Sequence, residues 1–293
     1  MSDQAATLRD IVNSKTPPTR NTLKIFTVTS GKGGVGKSNF TANIALALKE
    51  LGQRVLILDA DFGLSNIDLI LGVRPRYNLA HLLAGNLSLQ EVITNTPYGI
   101  SFISGGNGVK EMLYLDKFQI EKVAIELSTL AEVADVVLID TGAGINDIVI
   151  KFCEIADEVC LIVTPDPSSI TDAYALLKTF TKDFFVEAKY NVILNGVDSP
   201  NEGMSVFKKI DTVSKSFLNL NLHFKGYIPY DTNLVKAVRK SQPIYYINRN
   251  AQASIAYNNI AKNLLHYQDT QESALLNKEP LVSKLRRILK NQR

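Results

Sequence analysis

The chain has 293 residues, 45% of them apolar, and a net charge of +3, enough to bury one large α/β core or two modest ones. The charge is uneven: Lys278, Lys284, Arg286, Arg287, Lys290 and Arg293 stand against Glu279 in residues 278–293, a local +5 that leaves −2 for the rest. That balance argues against a body built to grip nucleic acid, and no apolar run reaches the ~18 residues of a spanning helix.

Residues 1–22 stand apart. Ser2–Asn13 reads as a short helix with Ala5, Leu8, Ile11 and Val12 on one side, and Thr16-Pro17-Pro18-Thr19 breaks it as a stiff linker. No secretory signal is read there, so a soluble cytoplasmic protein is expected. From Leu23 onward, short β-branched runs alternate with longer helical patterns. The strands are expected at Ile25–Thr29, Val55–Leu58, Ser101–Ile103, Val136–Ile139, Val159–Val163, Val192–Leu194 and Phe224–Ile228. The helices are expected at Ser38–Leu51, Lys117–Leu130, Ser168–Phe184, Gly203–Leu218, Asn233–Lys240 and Ala253–His266. Continuous apolar strands alternating with helices predict an α/β fold, a mostly parallel sheet flanked by helices on both faces. Residues 23–268 form this body, and 269–293 form a polar linker and a tail. The two cysteines, Cys153 and Cys160, fall on a helix and a strand and make no CxxC pair. They read as buried thiols of a reducing compartment.

Directly after the first strand comes Gly31-Lys32-Gly33-Gly34-Val35-Gly36-Lys37-Ser38, which satisfies G-x-x-x-x-G-K-[ST] between a strand and a helix. Glycines let the backbone N–H groups wrap a phosphate at a helix N-terminus. Lys37 is expected on the β- and γ-phosphates and Ser38 on Mg²⁺. Val136-Val137-Leu138-Ile139-Asp140 is a buried strand tipped by a carboxylate, which places Asp140 near Mg²⁺ through a water. Gly142 and Gly144 behind it suit a loop that follows the γ-phosphate. Asp59 and Asp61 close the second strand at the sheet's ligand-binding end.

The segment GKGGVGKS, with its early lysine, resembles the deviant Walker A motif of the MinD/ParA family, whose P-loop NTPase fold is of the SIMIBI type. The resemblance implies an ATPase cycling between ATP and ADP with Mg²⁺, as an ATP-dependent homodimer with two nucleotides between the subunits. It implies that Lys32 stabilises charge on the partner's nucleotide. Asp61 then falls in switch I and orients the attacking water, with Asp59 structural. Asn195, Pro229 and Asp231 match positions that hold the adenine edge in relatives, with ordinary turn capping as the alternative for Asn195 and Asp231. Asn39 stands where many relatives carry Thr, and its amide can still reach the α-phosphate.

Both ends extend the resemblance. Leu281, Val282, Leu285, Ile288 and Leu289 share one helical face, and Lys284, Arg286, Arg287 and Lys290 line the rest. That pattern suits a short helix lying in an anionic membrane interface, stronger when a dimer presents two copies, with a helix packed on the core or a nucleic-acid arm as the alternatives. Asp3, Gln4, Ala5, Leu8 and Arg9 resemble the DQAxxLR segment of flagellum-regulating members of the family. In those members it activates an FlhF-type GTPase, which implies that partner together with flagellar basal-body and switch proteins. A ParA-like DNA-partition ATPase is the alternative, but the slightly acidic body makes DNA an unexpected partner. An iron–sulfur carrier would need a cysteine pair at a subunit interface.

Overall fold

The computed structural model describes residues 23–61, 67–85, 87–106, 129–265 and Ser283. Its centre is a sheet of β1 (Lys24–Thr29), β2 (Val55–Ala60), β3 (Thr94–Asn95), β4 (Ser101–Ser104), β5 (Val136–Thr141), β6 (Glu158–Val163), β7 (Lys189–Val197) and β8 (Leu222–Pro229). Their order across the sheet is β3-β4-β2-β5-β1-β6-β7-β8. Every neighbouring pair is parallel except β3 with β4. The two-residue β3 is too short to leave a periodic trace in the sequence, so this antiparallel edge is an addition to the expected sheet. The remaining strands fall where the apolar runs place them, each longer by one to six residues because polar ends pair as well as apolar middles.

Alternation along each strand divides the core. Phe26, Val28, Val136, Leu138, Cys160 and Ile162 face one layer, where α1 (Lys37–Glu50), α10 (Ile244–Ile247) and α11 (Gln252–Leu265) pack. Val137, Ile139, Val159 and Leu161 face the other. That second layer is built of α6 (Asp147–Ile155), α7 (Pro167–Lys178) and α8 (Pro200–Leu218), with α3 (Leu79–Leu83) and α4 (Leu89–Val92) toward β4. A side chain such as the fully buried Phe40 or Leu48 of α1 contributes about 1.5–3 kcal/mol on burial, and this is what seats α1 against the sheet.

Local chemistry sets the helix starts. Asn146 caps α6 by accepting from the N–H groups of Ile148 and Val149, and Asp166 caps α7 from Ser168 N–H with Pro167 at the first helical position. The expected helix to Phe184 stops being α-helical at Lys178 and continues as a π-helical turn, Thr179–Asp183. At the sheet's other end, Lys24 pairs with Glu158 at 2.7 Å, both buried, and Asn191 Nδ2 donates to Glu158 Oε2. Lys24 Nζ and Lys225 Nζ donate to the carbonyls of Leu264 and Asn263, which satisfies the last turn of α11. Most of the helix expected over Lys117–Leu130 lies outside the described residues; a short α5 (Leu130–Val133) begins at its last position.

Candidate active site

The loop after β1 sits where β1 has β5 on one side and β6 on the other, the point at which the chain's progress across the sheet reverses. Gly34 and Gly36 have φ of +76° and +95°, left-handed values that a side chain would strain. Gly36 is the N-cap of α1 and carries no side chain to bond the first-turn N–H groups, which leaves them for an anion. Lys37 is buried and its Nζ reaches Ser30 Oγ at 3.0 Å. Burial lowers the Lys37 pKa, while Asp140 and then Asp61 oppose that shift. Gly33, Val35, Ser38 and Asn39 complete the loop and first turn, with Ser38 and Asn39 half-buried.

The acidic side is assembled by strand register. Asp59 on β2 and Asp140 on β5 are paired positions, and both are about 1% exposed. Asp59 Oδ1 accepts from the backbone N–H of Asp61 at 3.1 Å, which fixes the turn that carries Asp61 and fits the structural part expected of it. Asp61 in turn lies against Gly142: a Cβ built there would meet Asp61 Oδ1 at 3.3 Å. Gly144 N–H donates to the Ser30 carbonyl at 3.0 Å, so the loop after β5 touches the phosphate loop. Residues 62–66, the remainder of the expected switch I, lie outside the described residues.

Burial pushes the Asp140 carboxyl up to about 7, with hydrogen bonds from Ser38 and Thr41 opposing. Its Oδ2 is buried without a hydrogen-bond partner. Because the folded value exceeds the unfolded one, the folded chain holds the extra proton between pH ~4 and ~7. Stability from this group is therefore lost as pH rises toward 7. A divalent cation would offset the cost of the ionised form, and the donor set of a buried, orphaned carboxylate oxygen beside a serine hydroxyl fits Mg²⁺.

Lys32 behaves unlike Lys37. It lies at the rim, 39% exposed, with Nζ 2.7 Å from Asp166 Oδ2 and 2.5 Å from Ser168 Oγ at the N-terminus of α7. The bond to Lys32 leads the interactions that hold Asp166 down to about 2. Asn195, near the end of β7, donates from Nδ2 to the Val35 carbonyl at 2.7 Å and so lies against the cradle. Asp231, also expected near the adenine, has its carboxylate on backbone N–H groups. Its Oδ1 accepts from Asn233 N–H at 2.8 Å and its Oδ2 from Ala253 N–H at 3.1 Å. One carboxylate thus caps α9 (Thr232–Arg239) and bonds the first turn of α11, the capping alternative read from its residue type. Pro229, half-buried, ends β8 beside it.

Sequence reasoning missed Ser30, Thr41, Asp166 and Ser168. Asp166-Pro167 carries a legible signal, a cap followed by proline directly after a strand end, but nothing in the sequence pairs it with Lys32. The expected partner segment (Asp3, Gln4, Ala5, Leu8, Arg9) and the basic tail (Leu281, Val282, Lys284, Leu285, Arg286, Arg287, Ile288, Leu289, Lys290) lie outside the described residues. No helix among the described residues is long and apolar enough to cross a membrane.

The ParA family, described as NUBPL iron-transfer P-loop NTPase, matches residues 21–265. The chain is 39% identical over 242 residues to the antiactivator FleN of Pseudomonas aeruginosa, covering 83% of this chain and 86% of that protein. It is 35% identical over 296 residues to the flagellum site-determining protein YlxH of Helicobacter pylori, covering 99% of each. Among solved structures, a chain of the MinC:MinD cell division complex of Aquifex aeolicus matches with a TM-score of 0.66 at 28% identity, over 83% of this chain and 96% of that one. The septum site-determining protein MinD of Pyrococcus horikoshii, solved with Mg-ADP, shares the fold at a TM-score of 0.66 and 22% identity, over 85% and 98%. Iron transfer finds no counterpart in the cysteines. Cys153 and Cys160 are fully buried, and burial pushes Cys153 well up and Cys160 to about 12.

Proposed function

This chain belongs to the ParA/MinD family of P-loop ATPases, in its FleN/YlxH (FlhG) branch, and from that premise we propose that it regulates flagellar number and placement by an ATP-driven switch between cytoplasm and membrane. ATP would lie on the backbone of Gly31–Ser38 with Lys37 on its outer phosphates. Mg²⁺, held by Ser38 and through water by Asp140, would neutralise charge on the phosphate oxygens when bound. Asp61 would orient the attacking water, Gly142 and Gly144 would follow the γ-phosphate, and Asn195 and Pro229 would flank the base. Hydrolysis would be slow and dimer-dependent.

The observation that carries the dimer is the division between two lysines of one loop. Lys37 points into the cradle and is buried, whereas Lys32 stands at the rim and is bonded to Asp166 and Ser168. A cation on an exposed rim can reach a second subunit's phosphates, and one turned into its own cradle cannot. The exposed Lys32–Asp166 pair is worth little in water, so exchanging it for a phosphate of a second subunit costs little. Two copies of the basic tail would then meet an anionic membrane together. The N-terminal segment would stimulate an FlhF-type GTPase, and flagellar basal-body or switch proteins would be further partners. The relatives named FleN and YlxH support this assignment over DNA partition.

Light scattering after size exclusion tests the dimer. With ATP the wild-type chain should run at twice its ADP mass, and Lys32→Ala should stay a monomer with both nucleotides while binding ATP as before. A Lys32→Ala chain that dimerises and hydrolyses like wild type would remove Lys32 from the mechanism.

A further inference from the structure

Thr41 lies on α1 within the core, fully buried, at a depth where an apolar side chain would cost nothing to desolvate. Its Oγ1 has two acceptors in reach: the Lys37 carbonyl at 3.1 Å and Asp140 Oδ1 at 2.9 Å. A hydroxyl has one proton, and a carboxylate is the stronger acceptor than a carbonyl one helical turn back. The proton therefore belongs on the Asp140 bond, and Oδ2 of the same carboxyl is left buried without a partner. The second torsion of an aspartate is broad and roughly two-fold, so nothing intrinsic to Asp140 fixes which oxygen faces which way.

From this arrangement we infer that Thr41, alongside the Ser38 hydroxyl that also bonds this carboxyl, is a positioning residue for the divalent cation: it holds Asp140 by Oδ1 so that Oδ2 is the oxygen offered to the ion or its water. The inference rests on the ATPase reading of the site. Thr41 itself touches neither nucleotide nor metal; it acts through Asp140. It also ties the metal carboxylate to the same helix that carries Lys37 and Ser38, so the phosphate loop and the acidic strand tip move together. Supporting side chains of this kind typically govern about 10- to 100-fold in metal affinity.

The test is a Mg²⁺ titration of fluorescent ATP-analogue binding, run beside binding in EDTA. Thr41→Val keeps the shape and loses the hydroxyl. It should raise the half-saturating Mg²⁺ concentration about tenfold while EDTA binding stays at the wild-type value. Thr41→Ser should restore the wild-type titration. If Thr41→Val does not fold, Thr41→Ala against Thr41→Ser gives the same comparison. Coinciding titrations for wild type and Thr41→Val would overturn the inference, as would an equal loss in EDTA, which marks a purely structural residue. A wild-type chain whose binding ignores Mg²⁺ would overturn the metal reading, and the inference with it.

Discussion

Replacing Lys37 with alanine should lower ATP hydrolysis by at least about 100-fold, the scale of losing one preorganised charge at a reacting group. Its ammonium is held away from water, where a charge acts more strongly than at the surface. Burial alone would favour the neutral amine, and the carboxylates of Asp140 and Asp61 counter that pull. Removing Lys37 takes away the cation facing the phosphates and also leaves those two carboxylates without their neighbouring positive charge. Binding of nucleotide should therefore weaken along with turnover. Lys37→Arg should not rescue, because a planar fork replaces a compact point charge in a closed site. Phosphate release under saturating ATP and a binding titration read the two effects separately. A Lys37→Ala chain within about threefold of the wild-type rate would contradict the assignment of the cradle.

Gly31→Ala should be strongly destabilising, for a reason that lies outside the phosphate loop. A Cβ at Gly31 would meet the Asp172 carbonyl well under 3.0 Å and Ala173 N at 2.7 Å. Those are backbone atoms of α7, so no side chain can rotate away. Either α7 shifts off the sheet or the loop distorts, an overpacking cost of about 2–3 kcal/mol. For a chain of this size that is roughly 3–6 °C in melting temperature. Gly34→Ala provides the comparison: nothing lies within 4 Å of its Cβ, and only its φ of +76° resists, a cost of about 1–2 kcal/mol. Equal melting temperatures for the two variants would show that contact with α7 does not set the loop's geometry. Displacing α7 would also carry Asp166 and Ser168 away from Lys32, since both stand at its first turn.

Much of this site is legible in the amino-acid sequence because each signal is local. The glycine spacing, Lys37 and Ser38 are contiguous, and Asp140 ends a run whose burial follows from its own residues. Parallel pairing then brings Asp59 and Asp140 level, a consequence of register that no single segment states. What stays hidden depends on contacts distant in sequence. Thr41 meets Asp140 across 99 positions, and Lys32 meets Asp166 across 134. Asp231 shows the reverse case. It lies where a base contact is expected, yet its carboxylate is occupied by two helix starts, and only the position of Ala253 reveals the second of them. The two-residue β3 is too short to leave a periodic trace, and the π-helical turn after Lys178 reads in the sequence as a continuation of the α-helix before it.

If ATP turns this chain into a membrane-bound dimer, co-sedimentation with anionic liposomes will follow the nucleotide. The chain should pellet with ATP and stay in solution with ADP, and a chain lacking residues 278–293 should stay in solution with either while binding nucleotide normally. A DNA-binding measurement in the same buffer should be negative. Pelleting that ignores the nucleotide, or DNA binding without liposome binding, would contradict the membrane switch, and the latter would favour a partition-type ATPase with a basic arm.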